Sequence, residues 1–172
     1  MAARRGAVLP APASIDAPDA ATLDRRAARR RTLRVGMVVL GVIGLGIATY
    51  LTAAHYAGFV VACTTRHNSC ELVQQSVYAK LAGVPVALLG AIGYVGILLT
   101  LLAPEREATR LGTLGLVIAG WGFSMYLTYR EAFTLHEYCE WCLSSAGILT
   151  ILLPLSIWRY LAGGSQPPVA PR

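Results

Sequence analysis

The apolar residues of this chain fall into four blocks, at residues 35–56, 84–103, 111–129 and 143–158, each almost without charge. A helix needs about 20 apolar residues to cross the hydrocarbon of a bilayer. The first three blocks meet that length. The fourth meets it by starting near Tyr138, which sets Glu140 at its watery mouth. A soluble four-helix bundle would show a polar face along each helix, and no such face runs through these blocks. The pattern predicts an all-α integral membrane protein, a four-transmembrane-helix bundle.

Residues 58–83, between the first two blocks, carry a different periodicity. Asn68 followed by Glu71 has capping-box spacing. Val73, Val77 and Leu81 then recur every four residues, the stripe of a short amphipathic helix. Gly83 suits the left-handed residue that stops such a helix, and Pro85 suits the first turn of the next span. The expected helix would lie on the membrane surface and cover one end of the bundle. Within the blocks, Gly90, Gly93 and Gly96 form one stripe of small residues, and Gly112, Gly115, Ala119 and Gly122 form another. Small residues let membrane helices approach closely.

Composition supports the membrane reading. The chain is 55% hydrophobic and 14% charged, against about 25% charged in soluble domains. Charge placement adds orientation. Of the fifteen Lys and Arg, eight precede the first block: Arg4, Arg5, Arg25, Arg26, Arg29, Arg30, Arg31 and Arg34. Arg106 and Arg110 lie between blocks two and three, and Arg159 and Arg172 follow the last. With four spans these share one side, leaving Arg66, Lys80 and Arg130 on the other. Basic residues stay cytoplasmic, so both termini are expected inside and the opposite loops outside. The arginines line membrane borders without interleaved aromatics, which argues against a nucleic-acid surface. Residues 1–33 and 162–172 are expected to be disordered cytoplasmic tails around a membrane domain at 34–161. The arginines of the first tail suit anionic headgroups. Arg29, Arg30 and Arg31 before an apolar run resemble an export signal. That run is too long for one, however, and its removal would leave an odd number of spans. An uncleaved first span is expected. Tyr50, Tyr56, Tyr126, Tyr129, Tyr138 and Trp141 gather near the outer boundary, and Trp158 and Tyr160 near the inner one, as interfacial anchors do.

The four cysteines form two pairs, Cys63/Cys70 and Cys139/Cys142, both on the expected outer side. The second is a CxxC at the start of the fourth block. Residues three apart on a helix lie on one face, close enough for a disulfide with slight adjustment. A helix N-terminus there can stabilise a thiolate, while Glu137 and Glu140 would oppose it. Haem attachment needs a His after the second cysteine, and Leu143 follows instead. Cys63 and Cys70 are separated by the polar residues 64–69, so Cys70 is expected to move between Cys63 and the CxxC. Two pairs with one mobile member fit thiol–disulfide exchange through a mixed disulfide. Spacing alone also admits inert structural disulfides, and a four-cysteine zinc site fits less well. The alternative function is a non-enzymatic membrane scaffold or small transporter stiffened by structural disulfides.

The joint pattern narrows these choices. The loop pair, the run Cys70-Glu71-Leu72-Val73-Gln74-Gln75-Ser76, then Gly83-Val84-Pro85 and a late CxxC resemble the vitamin K epoxide reductase (VKOR) family in its bacterial form, over residues 35–160. The DsbB family also joins cysteine pairs to quinone in four spans, but its CxxC comes in the first outer loop. The VKOR resemblance implies a membrane thiol–quinone oxidoreductase of the bacterial inner membrane with an extracytoplasmic active site. Cys63 and Cys70 would exchange with a thioredoxin-fold, DsbA-like partner. Cys70 would pass electrons to Cys139, and Cys142 would face the quinone, menaquinone or ubiquinone, with no metal involved. Ser76 matches a serine the family places near the active site; a helix serine bonded to a backbone carbonyl accounts for it equally well. Two departures stand out. The vertebrate enzymes carry a tyrosine where this chain has Ala146, which puts epoxide reduction in doubt. Some bacterial members carry a fused thioredoxin domain where this chain has a Gly/Pro/Ser tail, so the partner is expected to be a separate protein. His55, His67 and His136 read as solvated or interfacial side chains, and Arg66 and Arg130 as weak docking residues for an acidic partner.

Overall fold

The computed structural model describes residues 20–63, 69–81 and 83–163. Four long helices carry the fold: α1 (Ala20–Ala57), α3 (Val86–Leu102), α4 (Glu107–Arg130) and α5 (Glu140–Gly163). Between α1 and α3 lie a short helix, α2 (Ser69–Gln75), a 3₁₀ turn at Val77–Ala79 and a two-residue antiparallel ribbon, β1 (Lys80–Leu81) with β2 (Val84–Pro85). After α4 the chain widens into one π turn, Glu131–Leu135. α1 packs chiefly on α3, and α4 on α5.

The outer surface has the composition the blocks imply. Val39, Val42 and Ile43 on α1, Ile92 and Leu99 on α3, Ile118 on α4 and Ile151 on α5 are each at least half exposed. Large aliphatic groups pointing away from the core suit a hydrocarbon surround rather than water. Segments 21–57, 107–135 and 140–163 are long and apolar enough to cross a bilayer, and α3 is a shorter apolar helix. The chain is an all-α membrane protein.

Three expectations change in detail. α1 starts at Ala20, well before the expected border at residue 33, because the Ala-, Arg- and Leu-rich stretch consists of strong helix formers. The helix expected between Asn68 and Gly83 is shorter. The chain leaves α2 at Ser76, which has extended backbone angles and donates its hydroxyl to the Val73 carbonyl at 2.7 Å. Val73 is therefore buried while Leu81 is 53% exposed, so the predicted stripe does not form. Gly83 does adopt a left-handed conformation (φ 84°), but as the turn of the β1–β2 ribbon. Asn68, the proposed cap, lies outside the described residues.

The glycine stripes pack only in part. A side chain at Gly96 would meet Leu116, and one at Gly112 would meet Thr100, whereas Gly93, Gly115 and Gly122 face open space. A close approach between helices lies elsewhere. Gly44 of α1 receives the Tyr94 ring of α3, and any side chain there would clash with it. Tyr94 is buried among Met37, Ile97, Leu101, Val117 and Leu152. Its hydroxyl is 2.9 Å from the Ser145 hydroxyl of α5, so one side chain ties three helices together.

At the far end of the bundle from the cysteines, arginines do more than mark a border. Arg34 donates to the carbonyls of Leu101 (2.6 Å) and Ala103 (3.1 Å), closing the C-terminal end of α3. Arg30 does the same for Ala162 at 3.0 Å, and Arg29 lies over the Trp158 ring at 3.9 Å. Glu105, between α3 and α4, pairs with Arg159 (2.8 Å) and Arg110 (3.1 Å). Arg159 also donates to the buried Thr113 at 2.9 Å. Carbonyls at a helix C-terminus lack intrahelical partners, and guanidinium groups satisfy them with favourable charge.

Candidate active site

At the opposite end, a second core gathers the sulfur chemistry. Cys70 (1% exposed) and Cys139 (0%) are buried together with Leu51 and Ala54 of α1, Val61 and Val73. Cys63 and Cys142 pack against the same cluster, so all four cysteines converge. Cys63 and Cys70 are disulfide-bonded, with Cα atoms 6.3 Å apart; Cys139 and Cys142 are free thiols. Cys70 sits on α2 inside the cluster, so the helix holds the expected mobile cysteine close to Cys139.

Two aromatic side chains position this assembly. Trp141, inside the CxxC, donates its indole N–H to the Ala62 carbonyl at 2.9 Å, and the Ala62 N–H donates to the Tyr50 hydroxyl at 3.3 Å. The Tyr50 and Trp141 rings lie 5.1 Å apart. Tyr50 and Trp141, expected as membrane anchors, therefore clamp the residue before Cys63 to the start of α5.

Cys139 directly precedes α5, and its carbonyl accepts the Leu143 N–H at 2.9 Å, which makes it the cap of the helix. Its sulfur takes the place that a serine or aspartate oxygen takes at an ordinary cap. The Cys142 thiol donates to it, and the backbone N–H groups of Cys142 and Trp141 point at it. The Cys142 hydrogen bond is the strongest influence; burial and the charge of Glu131 act against it. The outcome is a Cys139 thiol held below its ordinary pKa, and so a readier thiolate.

Glu131 was not singled out by the hydrophobic pattern or the cysteine motifs. It is 3% exposed, and its carboxylate accepts the Cys139 N–H at 3.3 Å and hydrogen-bonds the Cys142 thiol. The π turn begins at this residue. Such turns shift the phase of a helix and recur at functional sites. A carboxylate two residues past an apolar block, eight before a CxxC, is the signal that could have found it. Arg130, expected to dock a partner, instead stacks over the Tyr78 ring at 4.2 Å and hydrogen-bonds the Tyr78 hydroxyl. His136 is exposed and takes the left-handed conformation that ends the π turn, and His55 packs edge-on against Tyr56. Arg66 and His67 lie outside the described residues.

Between the helices, beside the cysteine cluster, opens a cavity of about 370 Å³. Its walls are apolar, including Leu51, Leu89, Ile97 and Phe123. The polar groups are few: Ser76, Tyr78, Arg130, Glu131, Cys142 and Ser145 among them. Size and lining match sites for flat, mostly apolar molecules that are oriented by a few polar contacts. Ser76 lines this cavity, and its hydroxyl is bonded to the Val73 carbonyl. Among the described residues, no group of three or more His, Cys, Asp or Glu gathers as a metal cage.

Residues 35–157 match the model of the Vitamin K epoxide reductase family, which spans more than half of the sequence. The chain therefore belongs to that family of membrane thiol–disulfide oxidoreductases, whose chemistry is linked to quinones.

Proposed function

We propose that this protein reoxidises a separate, extracytoplasmic thioredoxin-fold protein and delivers the two electrons to a membrane quinone, so that exported proteins gain disulfides. The observation that carries this reading is the position of Cys142. It belongs to the sulfur cluster and also lines the apolar cavity, so one residue adjoins both the thiol chain and a space suited to a quinone ring. In this reading α3 is a fourth span, both termini are cytoplasmic and the cysteine end is extracytoplasmic, in keeping with the arginine distribution.

The steps follow thiol–disulfide exchange. A thiolate of the reduced partner attacks Cys63, the Cys63–Cys70 bond breaks, and Cys70 leaves as a thiol. The partner's second thiol then attacks its own mixed sulfur, so the partner leaves oxidised and Cys63 is reduced. Cys70 next attacks Cys139 of a Cys139–Cys142 disulfide and releases Cys142. Cys63 attacks Cys70, which restores the Cys63–Cys70 disulfide and leaves Cys139 and Cys142 as thiols. Cys142, Glu131, Tyr78 and Arg130 at one side of the cavity, with Ser76 nearby, would orient the quinone. When bound it accepts two electrons and two protons. Cys139 and Cys142 then close again.

The test is quinone reduction by purified protein supplied with a reduced thioredoxin-fold dithiol, with each cysteine replaced in turn by alanine. Loss of partner-driven turnover in all four variants is expected. Parental turnover in C142A would overturn the mechanism.

A further inference from the structure

Glu131 carries chemistry that thiol exchange alone leaves out. Oxidising the Cys139–Cys142 dithiol releases two protons along with two electrons, and the site must place both. The Cys142 thiol has one hydrogen and two acceptors beside it, the Cys139 sulfur and the Glu131 carboxylate. It can donate to only one at a time. Donation to sulfur steadies the Cys139 thiolate. Donation to the carboxylate allows the proton to leave and Cys142 to become the thiolate.

The surroundings leave Glu131 suited to the second role. It is almost wholly buried, it lines the cavity, and among the described residues no ion pair ties it down. Cys139, just before α5, and Cys142 on it face the carboxylate. Arg130, its chain neighbour, is turned onto Tyr78 of the 3₁₀ turn. α3 adds Tyr94 to the cavity wall, with its hydroxyl on Ser145, and the wall residues from α1, Ile47, Ala48 and Leu51, do not titrate. A carboxylate needed only for structure would normally be paired or solvated.

We propose that Glu131 is a catalytic residue, the base that takes the Cys142 proton as the dithiol closes and passes it to the reduced quinone. This rests on the function proposed above. One proton leaves Cys142 through Glu131. The other leaves Cys139 for water at the mouth of the site, and the quinone's second oxygen takes one proton from water in exchange. The Cys139–Cys142 bond forms as the two S–H bonds break, and the electron pair leaves with the quinone.

The experiment uses the full chain in lipid nanodiscs, with a short-tailed benzoquinone and a short-tailed naphthoquinone as probes. Two readings are taken across pH: the alkylation rate of Cys139 and Cys142 without quinone, and the single-turnover closure of the reduced pair with quinone. Glu131→Gln removes a negative charge next to both thiols, so alkylation should reach its midpoint at lower pH than in the parent. Closure should nevertheless slow by about 10²-fold, the usual worth of a general base, and lose the part of its pH profile set by the carboxyl. Easier thiolates with slower oxidation is a result that a purely structural or electrostatic Glu131 does not produce. An unchanged alkylation midpoint would overturn the contact, and a shifted midpoint with parental closure would overturn the role as base. Should E131Q fail to fold, Glu131→Asp takes its place. It should close more slowly than the parent, with a shifted pH limb, and parental closure with the parental profile would overturn the role. If the parent itself reduced neither quinone, the proposed function would fail, and the alkylation midpoint of E131Q would still support or refute the Glu131 contact.

Discussion

The two ends of the bundle solve the same problem, buried polar groups in an apolar protein, with opposite materials. At one end, Arg30, Arg34, Arg110 and Arg159 meet carbonyls, a threonine and Glu105 through bonds of 2.6–3.1 Å. Cations face acceptors there, and the arrangement has one stable state. At the other end, sulfurs, two aromatic rings and a carboxylate that has no ion pair among the described residues lie together. There the Cys142 thiol lies beside two acceptors, the Cys139 sulfur and the Glu131 carboxylate. The first end is built to stay closed, and the second holds groups whose bonding can change.

The sharpest way to break that contrast is at Cys142. In C142A the second pair cannot close, and quinone reduction by a supplied dithiol should fall by on the order of 10³-fold or more, as when a nucleophile is removed. Fluorescence-monitored thermal unfolding should stay close to the parent. C63A separates two functions: partner-driven turnover should vanish, while a small membrane-permeant dithiol should still open the Cys139–Cys142 disulfide directly and so support quinone reduction.

Next in size is the opposite end. Arg159→Ala leaves Glu105 with one partner fewer and removes a donor from the buried Thr113. It should cost about 1–3 kcal/mol, read by thermal unfolding in nanodiscs, with dithiol closure at the parental rate. A loss of redox activity without loss of stability would contradict the division of labour.

Much of this division could be read in the sequence, and some could not. The four apolar blocks foretold the four long helices because long runs without charge leave each helix no polar face. The late CxxC foretold a cysteine at a helix start, since Leu143 onward is apolar and the pair precedes it. The role of the arginines was legible only as sidedness. Their bonds to Leu101, Ala103 and Ala162 depend on which helix ends meet, and periodicity within one segment does not contain that. Glu131 was invisible for a related reason. A π turn changes the helical phase, so a residue that an ordinary helix would aim elsewhere faces the sulfurs. Trp141 and Tyr50 read as interfacial anchors because aromatic position along the chain does not reveal a shared hydrogen-bond partner at Ala62.

Smaller effects sharpen the comparison further. Trp141→Phe keeps the ring but loses the bond to Ala62. It should cost about 1 kcal/mol and speed reduction of the Cys63–Cys70 bond by a soluble dithiol several-fold, because the residue before Cys63 is released. Stopped-flow reduction would show it. Smallest is a pH effect at the arginine end. Burial opposes the charge of Glu105, but the hydrogen bonds and charges of Arg159 and Arg110 outweigh it and hold the carboxyl below its ordinary value. A depressed folded pKa gives stability that is present above the unfolded value and is lost as pH falls through the folded one. The pair should therefore weaken only on the acid side of the ordinary carboxyl range, and Glu105→Gln should flatten that part of the stability curve.

The account depends most on exchange between Cys70 and Cys139. The double variant C63A/C142A leaves those two thiols alone, and mild oxidation of purified protein followed by mass mapping reads their state. An intramolecular Cys70–Cys139 disulfide is the predicted product. Two free thiols, or links only between separate chains, would contradict the convergence on which the electron path is built.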